Sequence, residues 1–125
     1  MLRRSSIAAS SLCLSLALAA TAPADDGIEF FEREVRPILV ARCHECHKST
    51  LKEPKGKLTL DTLAGVLKGG ETGPAIVPGK PKESLLVDAI NHGDLYQMPP
   101  KSKLPPEEIA VLTKWVELGA PWPKE

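Results

Sequence analysis

The chain has 125 residues, 16 Lys and Arg against 16 Asp and Glu, and five aromatic side chains (2 Phe, 2 Trp, 1 Tyr). That length suits one domain, and the balanced charge argues against nucleic acid as a partner, because neutralising phosphates takes a strong basic surplus. The size also leaves too little chain for a large enzyme with a lid and a deep cleft, so no small-molecule substrate is expected.

The first segment, residues 1–24, reads as an address. Arg3 and Arg4 open it, an uncharged run from Ile7 to Ala20 follows, and Ala22-Pro23-Ala24 puts small residues where a signal peptidase looks. The run is 14 residues long, against the roughly 20 that a spanning helix needs. We therefore expect a secretory signal peptide cleaved after Ala24 and export to the periplasm or another extracytoplasmic space. Membrane attachment is expected only if the segment stays uncleaved. Cys13 leaves with it. Residues 25–125 then form the domain, with 14 basic and 16 acidic residues. Its soft and imidazole side chains are Cys43, Cys46, His44, His47, His92 and Met98.

Asp25-Asp26-Gly27 can cap a helix whose apolar positions, Ile28, Phe31, Val35, Ile38 and Leu39, fall at helical spacing. Pro37 predicts a kink, with the Arg33 carbonyl losing its partner, before the helix runs on toward Cys43. From Lys52 to Pro81, six glycines and four prolines read as loop. Within it Asp61 can cap a short helix, 62–68, stopped by Gly69 and Gly70. A third helix is predicted from near Pro81 to His92-Gly93, with Leu85, Leu86, Ala89 and Ile90 on one face. Residues 94–103 are loop around Met98-Pro99-Pro100. Pro105-Pro106-Glu107-Glu108 opens the last helix, with Ile109, Leu112, Trp115 and Val116 as its buried stripe and Gly119 as its stop. No strand pattern appears beyond residues 57–60. The class is all-α.

Residues 43–47 read Cys-His-Glu-Cys-His, the C-x-x-C-H pattern of covalent c-type haem attachment. Thiols three residues apart near a helix end project to one side, so both can reach the two vinyl groups on one porphyrin edge. His47, next in line, then faces the iron. An attached macrocycle would also supply apolar surface that so few aromatics cannot. Met98 follows His47 by 51 residues and sits in a proline-stiffened loop, where a thioether can complete the iron's coordination and favour its ferrous state. Against that stands a methionine merely filling a gap in the core. His92 competes as sixth ligand, or simply faces a helix C-terminus. His44 points away from the iron if His47 binds it. Trp115 is expected in the core against the haem.

Other chemistries compete for the same residues. A dithiol oxidoreductase would use Cys43 and Cys46 inside a β-α-β pattern, which is absent. Structural zinc would need a second tight ligand pair, and His92 stands alone. A haem-based small-ligand sensor or weak peroxidase would leave Met98 off the iron. The leading expectation is a carrier of single electrons, not an enzyme, working between redox partner proteins. Lys48, Lys52, Lys55, Lys57, Lys101 and Lys103 would form a basic rim for an acidic partner if both segments border the haem edge.

The chain resembles the planctomycete-type cytochrome c domain, a branch of the mono-haem class I c-type cytochromes. The likeness is carried by residues 31–39 (FEREVRPIL), 43–47 (CHECH), 56–61 (GKLTLD), 68–79 (KGGETGPAIVPG), 84–86 (SLL), 98–101 (MPPK) and 112–121 (LTKWVELGAP). It spans residues 28–123. The resemblance implies a small helical domain wrapped around one covalent haem c per chain. It also implies iron held axially by a His and a Met, and electron transfer outside the cytoplasm. Residue by residue, those roles fall on Cys43, Cys46, His47 and Met98. Such domains often stand at the front of longer proteins. This sequence ends at Glu125, which leads us to expect the partner activity on another polypeptide.

Overall fold

The computed structural model describes residues 24–125, so the signal segment read at 1–24 lies outside the described residues but for Ala24. Helix α1, Ala24–Phe30, leads through a π-helical turn, Phe31–Val35, into α2, Arg36–Arg42. The helix starts earlier than its predicted cap, and Asp25 and Asp26 lie in its first turn. The expected break comes one turn before the proline. Pro37 has no N–H for the Arg33 carbonyl, and the ladder widens just upstream, where the Arg36 N–H reaches back five residues to the Phe31 carbonyl. Phe31, Val35, Ile38 and Leu39 are buried along this segment.

Helix α3 spans Leu63–Lys68. Its cap is Thr62, not Asp61: the Thr62 hydroxyl accepts the Gly65 N–H at 3.0 Å. Asp61 is engaged elsewhere, by Ser49. Gly69 ends the helix at φ +72°, and a Cβ there would sit 1.8 Å from the Gly73 carbonyl oxygen, so the turn requires glycine. The predicted third helix splits. A 3-10 turn, Pro81–Glu83, is separated from α4, Leu85–Ile90, by extended Ser84. The buried Ser84 hydroxyl accepts the Val77 N–H at 2.9 Å and donates to the Lys80 carbonyl at 2.8 Å, which holds it outside both helical pieces.

Helix α4 closes in a Schellman motif with His92 in the left-handed position, φ +56°. The Gly93 N–H bonds the Asp88 carbonyl and the His92 N–H bonds the Ala89 carbonyl. Helix α5, Pro106–Glu117, ends the same way, with Gly119 at φ +89° and the Ala120 N–H on the Trp115 carbonyl. Leu112, Trp115 and Val116 are fully buried on α5, while Ile109 is only half-buried. Trp115 joins Phe31 and Trp122 in an aromatic cluster with centroid separations of 4.3–6.1 Å. Its indole N–H donates to the Pro121 carbonyl at 2.9 Å.

The fold is all-α with a loop-rich middle, as the apolar spacing predicts. Among the described residues the only β feature is an isolated bridge between Gly70 and Gly73. Among them, too, no helix is long and apolar enough to cross a membrane.

Candidate cofactor site

The chain keeps turning after α2. The Cys43 and His44 N–H groups both reach the Leu39 carbonyl at 3.0 Å, and the His47 N–H reaches that of Cys43 at 2.9 Å. Cys43, Cys46 and His47 thereby come to line one cavity of 490 Å³. That volume falls in the range of about 300–1,000 Å³ usual for small-molecule and cofactor sites. The buried side chains Leu60, Leu86, Ala89, Ile90 and Leu104 belong both to the core and to the cavity wall. Met98 lines the same cavity, although it lies 51 residues beyond His47 in the chain. His92 and His44 are not on its wall. Neither is Trp115, which is core as expected but against Phe31 and Trp122 instead of the cavity.

The segment carrying His47 is laced to residues 55–61 by five hydrogen bonds. His44 Nε2 donates to the Leu60 carbonyl at 3.1 Å, and the Leu60 N–H returns a bond of 3.0 Å to the His47 carbonyl. The Lys55 N–H reaches the Cys46 carbonyl at 2.9 Å. Asp61 takes the Ser49 N–H at 2.9 Å and the Ser49 hydroxyl at 2.6 Å. Partial burial pushes the Asp61 carboxyl up, but these bonds and the nearby His44 outweigh it and leave the group below its ordinary range. Arg42 fixes the other side. Its guanidinium grips Glu108 through two bonds of 3.0 Å, tying the residue before Cys43 to the first turn of α5.

Met98 is held differently. Its N–H bonds the Ala89 carbonyl at the end of α4, at 2.9 Å. Tyr96, also on the cavity wall, hydrogen-bonds Thr72 through their hydroxyls. Neither Tyr96 nor Thr72, nor the Ser49–Asp61 pair, carries a signal that sequence reasoning could have used; 24 residues separate Tyr96 from Thr72.

The donor set fits a haem. Both thiols are unbridged and half-buried. Burial, with the Glu108 carboxylate and Cys46 adding to it, pushes the Cys43 thiol up to about 11, so it stays protonated at neutral pH. His47 Nδ1 is buried without a hydrogen-bond partner, unlike most buried polar atoms. A cavity with apolar walls, two free thiols, an imidazole and a thioether on its surface can hold a large planar apolar cofactor and offer iron both nitrogen and sulfur. Among the described residues no group of three or more His, Cys, Asp or Glu side chains gathers at metal-binding range, the arrangement structural zinc would use. Of the six lysines expected around the site, Lys55 lines the cavity and Lys57 pairs with Glu71 at 3.6 Å. Lys48, Lys52, Lys101 and Lys103 are exposed.

No curated protein matches the chain. Among solved structures it is similar to Kuenenia stuttgartiensis hydrazine synthase, at 24% identity and a TM-score of 0.42. That likeness covers 74% of this chain and 16% of the other, so the chain spans a small part of that protein's length. The family described as planctomycete cytochrome C matches residues 43–102, from the first thiol to the loop just past Met98. The matched family is the one the sequence resembles, a cytochrome c family, and the match takes in Cys43, Cys46, His47 and Met98.

Proposed function

We propose that the chain is an exported mono-haem c-type cytochrome that carries single electrons between redox partner proteins. In this reading haem c is attached through Cys43 and Cys46, with His47 and Met98 as axial ligands. The observation that carries it is the gathering of these four side chains on one apolar cavity, with His92 off its wall. The bound haem supplies a one-electron ferric–ferrous couple.

The protein's own residues do the rest. The two thiols would fix the cofactor irreversibly, and the lacing of residues 44–49 onto 55–61 holds the backbone that carries His47 in place. Met98 favours the ferrous state, and Leu60, Leu86 and Ile90 exclude water from around it. Lys55 at the cavity, with the exposed Lys48, Lys52, Lys101 and Lys103, gives an acidic redox partner a basic face to approach. The reading as a small-ligand sensor or weak peroxidase lacks a distal histidine on the wall. Export rests on the sequence of residues 1–24.

The test is an absorption spectrum of protein made in a host with c-type haem maturation, before and after acid–organic extraction. Colour that stays with the polypeptide, plus a far-red sulfur-to-iron band in the ferric form, is expected. Retained colour without that band would remove Met98 as ligand, and no retained colour would reopen the dithiol and zinc readings.

A further inference from the structure

Two loops contribute to the cavity wall, and they are held unequally. Residues 69–75 are fixed. The Glu71 N–H bonds the Gly56 carbonyl at 2.9 Å, Gly70 and Gly73 bridge each other, and the Ala75 N–H reaches the Val66 carbonyl. A Cβ on Gly70 would lie 2.3 Å from the Gly56 carbonyl oxygen, so this loop sits hard against its neighbour. Residues 94–103 are slack in their attachment: Pro99 and Pro100 stiffen the turn itself, but few hydrogen bonds tie it to the rest of the fold. Among the described residues, only the Met98 N–H to Ala89 and the Tyr96 hydroxyl to Thr72 tie this stretch down by hydrogen bonds. Of these, the Tyr96–Thr72 bond alone joins the two loops. Both of its residues line the cavity, and Tyr96 stands two positions from Met98.

We infer that Tyr96 is a positioning residue for Met98. Its hydroxyl, caught by Thr72 on the fixed loop, restrains the slack loop and so keeps the thioether at the sixth coordination position, limiting its replacement by ligands from solution. The inference rests on the reading of Met98 as an axial ligand. A segment with few hydrogen bonds opens locally at low cost, and each remaining tether then governs how often it opens. Tyr96 is 38% exposed, so its hydroxyl bond belongs at the weak end of the range for such bonds.

Imidazole titration of the ferric, haem-loaded protein tests this. Tyr96→Phe keeps the ring and removes the hydroxyl, and Thr72→Ala removes the other half. Each is expected to raise imidazole affinity about two- to fivefold, as fits the loss of one partly exposed hydrogen bond. The double variant should gain no more than either single one, and Thr72→Ser should restore the original affinity. The far-red band without imidazole and the melting temperature should stay near their parental values. If the parent shows the band and neither variant changes the affinity, or if the two effects simply add, Tyr96 has no positioning role. If the parent itself lacks the band, Met98 is not the ligand and the inference falls with that reading. The parental spectrum therefore separates the two failures.

Discussion

The segment around His47 and the segment around Met98 present side chains to the same cavity, yet they are built on opposite plans. Residues 44–49 are stitched to residues 55–61 by five hydrogen bonds, two of them to one carboxylate. Residues 94–103 hang from the end of α4 and from one hydroxyl pair. On the proposed reading the contrast separates two tasks: one side would anchor a cofactor, and the other would offer a ligand that the fold grips lightly. If electron transfer is the function, the anchored side sets where the cofactor sits and the lightly held side sets how easily the iron takes another ligand.

The largest expected effect breaks the anchored side outright. Replacing both Cys43 and Cys46 with serine should abolish retention of haem through acid–organic extraction, read as complete loss of colour from the polypeptide. Retained colour would mean that attachment lies elsewhere. A smaller effect sharpens the comparison under rising denaturant. The far-red ferric band should disappear at a lower midpoint than the helical circular dichroism, because the Met98 loop opens locally before the whole chain unfolds. Coincident midpoints would show that the slack side is not separately labile.

The smallest effect concerns the lacing. Asp61 sits below its ordinary value of 3.8, so its contribution is present above that pH and is lost as the pH falls through its lowered value. Asp61→Asn should cost less than about 1 kcal/mol at neutral pH, because the site is largely solvated. The gap to the parent should close as the pH drops below about 4, given the ordinary carboxylate range. A gap that is unchanged at acid pH would count against the Ser49–Asp61 bonds as its source.

The sequence reading and the structure agree most where chemistry is local. The C-x-x-C-H spacing, the stops at Gly69 and Gly119, and the apolar stripe of α5 depend on residues within one or two turns of each other. Disagreement begins where a residue has two possible partners. Asp61 reads as a helix cap because it precedes the helix, but Ser49, 12 residues away, takes its carboxylate, and Thr62 caps instead. Ser84 breaks a predicted helix because its hydroxyl is claimed by the backbone of the preceding loop. Trp115 reads as core against the cofactor, yet Phe31 and Trp122, from the two ends of the described chain, claim it. Spacing along the chain shows that such a residue is buried, not which neighbour buries it. Met98 could be read as a partner for His47 because it is the one methionine of residues 25–125 and sits in a proline-flanked loop, with the family resemblance in support; the 50 intervening residues carry no periodicity that would bring the two together.

The π-helical turn at Phe31–Val35 also sets an angle. A helix advances by about 100° per residue, and a π turn holds one residue more than the α-helical course would. Everything from α2 onward, including Cys43 and Cys46, is therefore rotated about the axis relative to a straight continuation of α1. The wider turn acts as a phase setting. Phe31 and Val35 face the aromatic end of the molecule or its core, while the same helical run delivers both thiols to the cavity wall. The same residues wound as a regular helix through Phe31–Val35 would turn the cysteines about a quarter-circle away from the wall they now line, whereas a chain shortened by one residue there would keep them facing it.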